Sequence, residues 1–384
     1  MRVLFLVYHG FENASGISKK ILAQVKGLRQ NGHEVHVCYY DISVNNEHQR
    51  IVDGFVIKNY GTGRLASLYQ RMSYGCICNY CRQSAIELVY VRSFMNASPF
   101  NIWLFRQLRK DGVKAVMEIP TYPYDKEFVT LPLKYRLEHI FDIIFRKRLA
   151  SYMNAIVTFS DADCIFGQKT IKISNGVDLD AIPVLKKSGD GDQNILHVIG
   201  VAEVHPWHAF DRFVAGLGEY YLGGKGKREN EPDVYFHIVG GIPSSLMERD
   251  YLPLIEKYGL QDKVVFHGKL YGDDLDMVFA QCNFAVGSLG RHRSGITQIK
   301  TLKNREYACR GIPFMYSEMD SDFDNQPYVL KAPADESPIE IGKVLEFIDK
   351  NSFSPESIRQ TVEHLSWKIQ MAKVMDGLTK MEML

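Results

Sequence analysis

The chain lacks a charge bias: 46 Lys and Arg stand against 45 Asp and Glu, for a net charge of +1. No global field draws it to nucleic acid, so any basic site must be local. It also lacks an apolar run approaching the ~18 residues that a membrane-spanning helix needs. The first strand-like run, Val3 to Tyr8, meets Gly10 at once and is too short for a signal peptide. A cytoplasmic location is therefore expected. Cysteine is sparse and odd in number, seven in 384 residues, which argues for reduced thiols over a disulfide framework. Cys76, Cys78 and Cys81 spell C-x-C-x-x-C inside a predicted helix (Leu68 to Ala85), but no His or fourth Cys follows at zinc-finger spacing, so helix packing is expected and a structural zinc is not. Dinucleotide and Walker loops are missing as well. Gly223 to Lys227 (GGKGK) follows a helix and reads as an exposed turn. Asp161-Ala162-Asp163 has the letters of a divalent-metal motif, yet its place after a strand predicts a helix cap, and no metal site is expected.

What is present is a soluble, globular composition, 46% hydrophobic and 24% charged, long enough for two domains. RVLFLVY (2–8), a Gly-containing loop, the amphipathic ISKKILAQVKGLRQNG and HEVHVCYYD give strand, loop, helix and strand. That βαβ pattern belongs to doubly wound sheets, whose ligands sit at the carboxyl ends of the strands. It continues with strands at Gly54 to Asn59, Glu87 to Arg92, Lys114 to Ile119, Ala155 to Phe159 and Ile171 to Ser174, with helices near 64–85 and 98–110. TYPYDKE follows the Lys114 strand as a Pro- and Tyr-rich loop.

The alternation restarts after a polar stretch. Strands are predicted at Ile195 to Gly200, Val234 to Val239, Val264 to Phe266 and Asn283 to Gly287. Helices fall near 209–220, 246–258 and 274–280. The predicted organisation is a domain over 1–175, a linker over 176–193, a second domain over 194–355, and a tail over 356–384 whose amphipathic helix packs back toward the first domain. Two such α/β halves imply a cleft between them, the default place for a ligand.

Gly287 to Pro313, GSLGRHRSGITQIKTLKNREYACRGIP, carries the most chemistry. A strand ends there in a loop holding Arg291, His292 and Arg293, and a helix opens at Thr301, a predicted N-cap, and stops at Gly311. A basic loop emptying onto a helix N-terminus suits an anion, because free N–H groups and the positive end of the dipole point at it. Glu306, inside the helix, could accept hydrogen bonds from a pair of sugar hydroxyls; the plainer reading is a surface helix with a solvated Arg305–Glu306 pair. Residues 131–153 form a second feature, an amphipathic helix with Leu137, Ile140, Phe141, Ile144 and Phe145 on one face beside Arg146, Lys147 and Arg148. Two readings stay open for it: a covering helix with a solvated basic face, or peripheral contact with anionic lipid or a lipid-linked substrate.

The order of four motifs resembles the two-domain GT-B glycosyltransferases, in particular the retaining family-4-like enzymes. They are the N-terminal Gly loop with GHEVHV, FGQKTIKISNGVD, HIVGG with KVVFHGKL, and LKNREYACRGIPF. The resemblance covers nearly the whole chain. It implies two Rossmann-like domains and transfer of a sugar from a nucleoside diphosphate sugar to a hydroxyl of a glycan or lipid-linked acceptor. It further implies retention, no metal or resident cofactor, and work in cell-surface polysaccharide or glycolipid synthesis. By the same resemblance, Glu306 would hold the ribose, and Gln298 stands where a glutamate near the donor sugar is usual. Thr301, Leu302 and Lys303 would meet the diphosphate. Gly268, Lys269 and Leu270 would meet the base, on a floor lined by Gly240 and Gly241. Gly16 would lie beside the diphosphate and Glu118 where acceptor and donor sugar meet. The main departure is the diphosphate clamp: His208 stands in place of Lys and no Arg follows Gly200, so Arg291, Arg293, Lys300 and Lys303 are expected to supply charge from the other side. A GT-B nucleotide-sugar epimerase and a degenerate, non-catalytic binding domain are the alternatives.

Overall fold

The structure is a computed structural model that describes all residues except 13–14, 94, 96, 126–132, 186–193, 224–230 and 384. Parts of the Tyr/Pro loop, of the 131–153 helix, of the linker and of GGKGK thus lie outside the described residues. The chain divides into two compact units, Met1–Asn175 with Trp367–Leu384, and Gly176–Ser366.

The first unit runs β1 (Arg2–Leu6), α1 (Gly16–Gln30), β2 (Glu34–Ile42), β3 (Glu47–Val52), β4 (Phe55–Thr62), α2 (Gly63–Met72), α3 (Gly75–Gln83), β5 (Leu88–Arg92), α4 (Pro99–Lys110), β6 (Lys114–Ile119), α5 (Leu133–Ala150), β7 (Ala155–Thr158), β8 (Cys164–Ile165) and β9 (Gln168–Lys172). Its sheet has the order β4-β3-β2-β1-β5-β6-β7-β9-β8. Val3 to Leu6 are sealed on both faces, as a central parallel strand demands. The strand expected at Gly54 to Asn59 proves to be the outer half of a hairpin. Asp53 and Gly54 both take positive φ, the turn that matches strand twist, and β3 pairs antiparallel with both neighbours. Two other expectations fail locally. The helix predicted over 64–85 is two, α2 and α3, parted at Ser73–Tyr74, with Cys78 and Cys81 buried in the second. Asp161 to Asp163 opens no helix but leads into the β8–β9 hairpin, where Lys172 pairs with Asp163 at 2.6 Å.

The second unit runs β10 (Ile195–Val201), α6 (Phe210–Leu222), β11 (Asp233–Val239), α7 (Ser244–Leu246), a π turn, α8 (Leu252–Tyr258), β12 (Val264–Gly268), α9 (Asp273–Gln281), β13 (Phe284–Val286), α10 (Leu302–Arg310), β14 (Phe314–Tyr316), β15 (Val329–Lys331), α11 (Ile341–Lys350) and α12 (Pro355–Gln360). Its sheet, β12-β11-β10-β13-β14-β15, is all parallel. In sequence rank that is 3-2-1-4-5-6, the Rossmann order, and the order reverses between β10 and β13. Strand alternation divides its core in two. Leu196, Val198, Phe236, Phe284 and Val286 pack on one face, and Ile199, Val239, Ala285, Phe314 and Tyr307 on the other. These are two Rossmann-like α/β units.

The predicted tail helix is broken. α12 ends at Gln360, a short 3-10 turn follows, and α13 (Trp367–Glu382) packs on α1 of the first unit. Gly27 permits that approach, since a Cβ there would stand 2.6 Å from the Trp367 carbonyl oxygen.

Candidate functional site

The carboxyl ends of β10, β13 and β14 meet where the second sheet reverses its order, the place where open α/β sheets hold ligands. Two loops are laced together there. Leu289 donates its N–H to the His208 carbonyl at 2.9 Å, and Gly290 donates to the Trp207 carbonyl at 3.2 Å. Arg293 ties the lacing down. Its guanidinium donates to the Pro206 carbonyl (2.9 Å), to both oxygens of Asp211 (3.1 and 2.9 Å) and to Glu336 (2.5 Å). Expected as a diphosphate ligand, Arg293 is instead committed to three partners within the fold. Lys300, from the same expected set, lies 3.8 Å from Asp322.

Lys303 differs. It sits in the first turn of α10; its stem is half-buried, its ammonium is buried, and that nitrogen has no hydrogen-bond partner among the described residues. Burial, reinforced by the Arg291 charge, pushes it well below an ordinary lysine. Glu318, just past β14, is 2% exposed, and neither carboxylate oxygen has a side-chain hydrogen-bond partner among the described residues. Burial pushes this carboxyl well above its usual range. The Arg291 guanidinium lies 5.6 Å from the Trp207 ring, which stacks on His205 at 4.4 Å. His208 is buried, and its Nδ1 accepts the His205 amide at 3.0 Å, which leaves the proton of a neutral ring on Nε2. Burial first, then Lys303 and Arg291, pushes its pKa far down. His208 is therefore neutral and supplies no cation.

Thr301 occupies the N-cap position with extended backbone, but its buried hydroxyl makes no capping bond. The first-turn amides of α10 are thus not answered by the side chain expected to cap them. Leu302 begins the helix beside it. The solvated Arg305–Glu306 pair is overturned. Arg305 is fully buried, bonded to Asp320 at 2.6 and 3.0 Å and to Asp322. Glu306 accepts two bonds from Arg310 (3.1 and 2.9 Å), and Arg310 also reaches Asp276 at 2.7 Å. Gln298 is exposed on a segment that bridges to Met319. On the other side of the sheet centre, Gly240 has φ 129°, and a Cβ there would come within 1.7 Å of the Ala202 carbonyl oxygen, so only glycine fits. Gly241 lies under an ion pair of Lys269 with Glu203 (3.1 Å), Gly268 ends β12, and Leu270 is half-buried against the core.

The first unit receives the other expected residues. Gly16 is exposed at the start of α1, behind the Ser15 cap. Glu118, the last residue but one of β6, has no exposed surface. Lys20 stands 3.0 Å from it, Tyr90 donates at 2.6 Å and Gln24 at 2.5 Å. Burial alone would raise this carboxyl, but Lys20, Arg92 and the two donors outweigh it and hold it low. In this structure the Glu118 carboxylate is buried and held by partners of its own unit.

Sequence reasoning passed over Glu318, His205 and Trp207. An acid two positions after the apolar FMY strand was the available signal, since a carboxyl edge is where such a residue would meet a ligand. Among the described residues, no group of three or more His, Cys, Asp or Glu is placed to hold a metal ion.

Solved structures share this architecture. Sucrose-phosphate synthase from Thermosynechococcus elongatus superposes with a TM-score of 0.65 at 14% identity, covering 99% of each chain. HepE of Anabaena, solved in complex with UDP, gives 0.62 at 11% identity, over 99% of this chain and all of that one. The pneumococcal O-GlcNAc transferase GtfA, in complex with UDP and GlcNAc, gives 0.58 at 10%, over 100% and 99%. The fold is therefore that of the GT-B glycosyltransferases. No family model matches the chain, and no curated protein sequence does.

Proposed function

We propose that the chain is a glycosyltransferase whose donor is a nucleoside diphosphate sugar held at the carboxyl edge of the second sheet. The buried, unpartnered Lys303 ammonium beside the first turn of α10, at the switch point, is the observation that carries this reading. HepE and GtfA were solved with UDP, which makes uridine the first base to test. In this reading Lys303, Arg291 and the α10 amides stabilise charge growing on the leaving diphosphate. Gly240 and Gly241 keep the floor low enough for the nucleotide to approach. The sugar passes to a hydroxyl with retention and without a metal, in polysaccharide or glycolipid synthesis. Release of UDP from a UDP-sugar, with transfer to an added acceptor and unchanged by a chelator, is the expected result. Return of an epimerised UDP-sugar without transfer would instead identify an epimerase.

A second reading is a binding domain without turnover. It is favoured by Gln298 in place of an acid and by the sealed position of Glu118. It predicts nucleotide binding with no UDP release.

The acceptor in the first reading is a glycan or lipid-linked, with peripheral contact at an anionic membrane through α5. What supports this is the helix's orientation. His139, Asp142, Leu149 and Ala150 face the core, while Leu137, Ile140, Phe141 and Ile144 are exposed at helical spacing. No helix among the described residues is long and apolar enough to cross a membrane.

A further inference from the structure

Lys303 and Glu318 present an unusual pairing. Each is a chargeable group whose polar atoms are buried, and among the described residues neither has a side-chain hydrogen-bond partner and no ion pair joins them. An ammonium and a carboxylate left this way are costly unless something else completes them or unless the pair is neutral. Groups from the neighbouring loops stand close enough to act on one another electrostatically. His205, His208 and Glu203 come from the loop after β10, Arg291 from the loop after β13, and Asp320 follows Glu318 after β14. The Phe210 ring of α6 lies 5.6 Å from the Lys303 ammonium. Of these groups, Asp320 is spent on Arg305, Glu203 on Lys269, and His208 is neutral. Lys303 and Glu318 are left without a side-chain partner among the described residues, and the Arg291 charge acts on both.

We propose that Lys303, Glu318 and Arg291 form a proton-coupled oxyanion site, in which a dianion of the phosphate class binds at the first turn of α10 and one proton from solvent enters the Lys303–Glu318 pair as it does. Near neutral pH and without ligand the pair holds one proton, either as ammonium with carboxylate or as amine with carboxylic acid. Both forms are neutral overall. A dianion seated beside them favours ammonium with carboxylic acid, which holds two protons, so one is taken up. The carboxylic acid then donates to the anion where a carboxylate would repel it. Burial pushes the two groups toward one another in pKa, which makes this exchange accessible near neutral pH. The identity of the natural ligand rests on the donor reading above; the proton uptake does not.

Titration calorimetry of the full chain tests it, with UDP and with sulfate, a dianion whose charge is fixed across the range. Binding is measured around neutral pH in buffers of different ionisation enthalpy, with sulfate, whose charge does not change there, as the control for the second phosphate ionisation of UDP at about 6. The expected result is uptake approaching one proton and affinity falling toward about tenfold per pH unit for both probes. The double substitution Lys303→Met, Glu318→Gln should abolish both effects. It should still fold, because buried ionic groups exchange for neutral ones of similar volume at little cost, and its melting curve verifies this. Glu318→Gln alone should bind more tightly than the wild type at pH 9. Binding of UDP without proton uptake, or uptake that survives in the double variant, overturns this proposal and leaves the donor reading standing. Uptake with sulfate but no binding of UDP, ADP or GDP supports the site and overturns the donor reading. No binding of any probe overturns both.

Discussion

Glu118 separates a core role from a catalytic one at the scale of a single residue. It is sealed with Lys20, Tyr90 and Gln24 on its oxygens, and Lys20 also lies 3.9 Å from the Phe159 ring. Removing the charge by Glu118→Gln strands a buried ammonium, a loss expected to cost about 3–5 kcal/mol in urea unfolding. A catalytic acid would leave stability intact and remove turnover instead. The pH dependence has a definite sign. The folded Glu118 is held below its unfolded value, so its contribution is fully present above an ordinary carboxylate pKa and is lost as pH falls through the folded one. Urea midpoints of the wild type should therefore fall on acidification, and those of Glu118→Gln should fall less. Arg293 makes the same point from the second unit. Its expected place on a diphosphate is taken by Asp211, Glu336 and the Pro206 carbonyl, so Arg293→Ala should lower the melting temperature as well as any affinity. Residue chemistry was legible in the sequence, but commitment was not. Nothing in RHRSG says that Arg293 is already bonded while the Lys303 ammonium, ten positions on, is not.

At the scale of elements, periodicity identified most strands and helices but passed over β3, β8, β14, β15 and α11, and it could not say which face of α5 points inward. Of the apolar residues that periodicity would place in the core, Leu137, Ile140, Phe141 and Ile144 are outside while Phe145 packs inward, and polar contacts help hold the inner face. Asp142 accepts the Tyr124 hydroxyl at 2.6 Å and the Ala97 amide at 3.1 Å. Hydrophobic spacing reports a stripe, and only tertiary partners decide where it faces. The missed β3 has a related cause, since pairing across Asp53-Gly54 is a long-range choice that alternation alone does not reveal. The exposed stripe makes a prediction of its own. α2, α4 and α5 together carry ten Lys and Arg against two acidic residues, in a chain that is otherwise balanced. An apolar stripe within a basic surroundings binds anionic bilayers, with each cation near the surface worth about 1 kcal/mol. Co-sedimentation with phosphatidylserine vesicles should be strong at low salt, weak with neutral vesicles, and lost in Ile140→Glu with Ile144→Glu. Because both side chains are exposed, the double variant should melt where the wild type does. Retained binding in that variant would remove α5 from the surface. The α1–α13 contact has a test at the same scale. Gly27→Ala places a methyl against the Trp367 carbonyl, and an overpacked contact of that kind costs about 1–3 kcal/mol.

At the scale of the whole molecule, each unit has its own sheet and its own core, and the candidate site lies within one of them. This makes the site's location measurable with the chain's own reporters. There are three tryptophans: Trp103 and Trp367 belong to the first unit, and Trp207 stands at the switch point of the second, against His205 and near Arg291. Replacing Trp103 and Trp367 by Phe leaves Trp207 as the sole emitter. Saturable change in its emission with UDP would put the nucleotide at the carboxyl edge of the second sheet. A ligand at 100 times its dissociation constant adds about 2.7 kcal/mol to the state that binds it. That stabilisation should appear in the unfolding transition followed by Trp207. Its size should shrink in Lys303→Met and remain in Glu306→Gln if Glu306 serves Arg310, or vanish in both if Glu306 also holds the ribose. A UDP response seen through Trp103 or Trp367 while Trp207 stays silent would move the nucleotide to the first unit, and with it every role assigned here to α10.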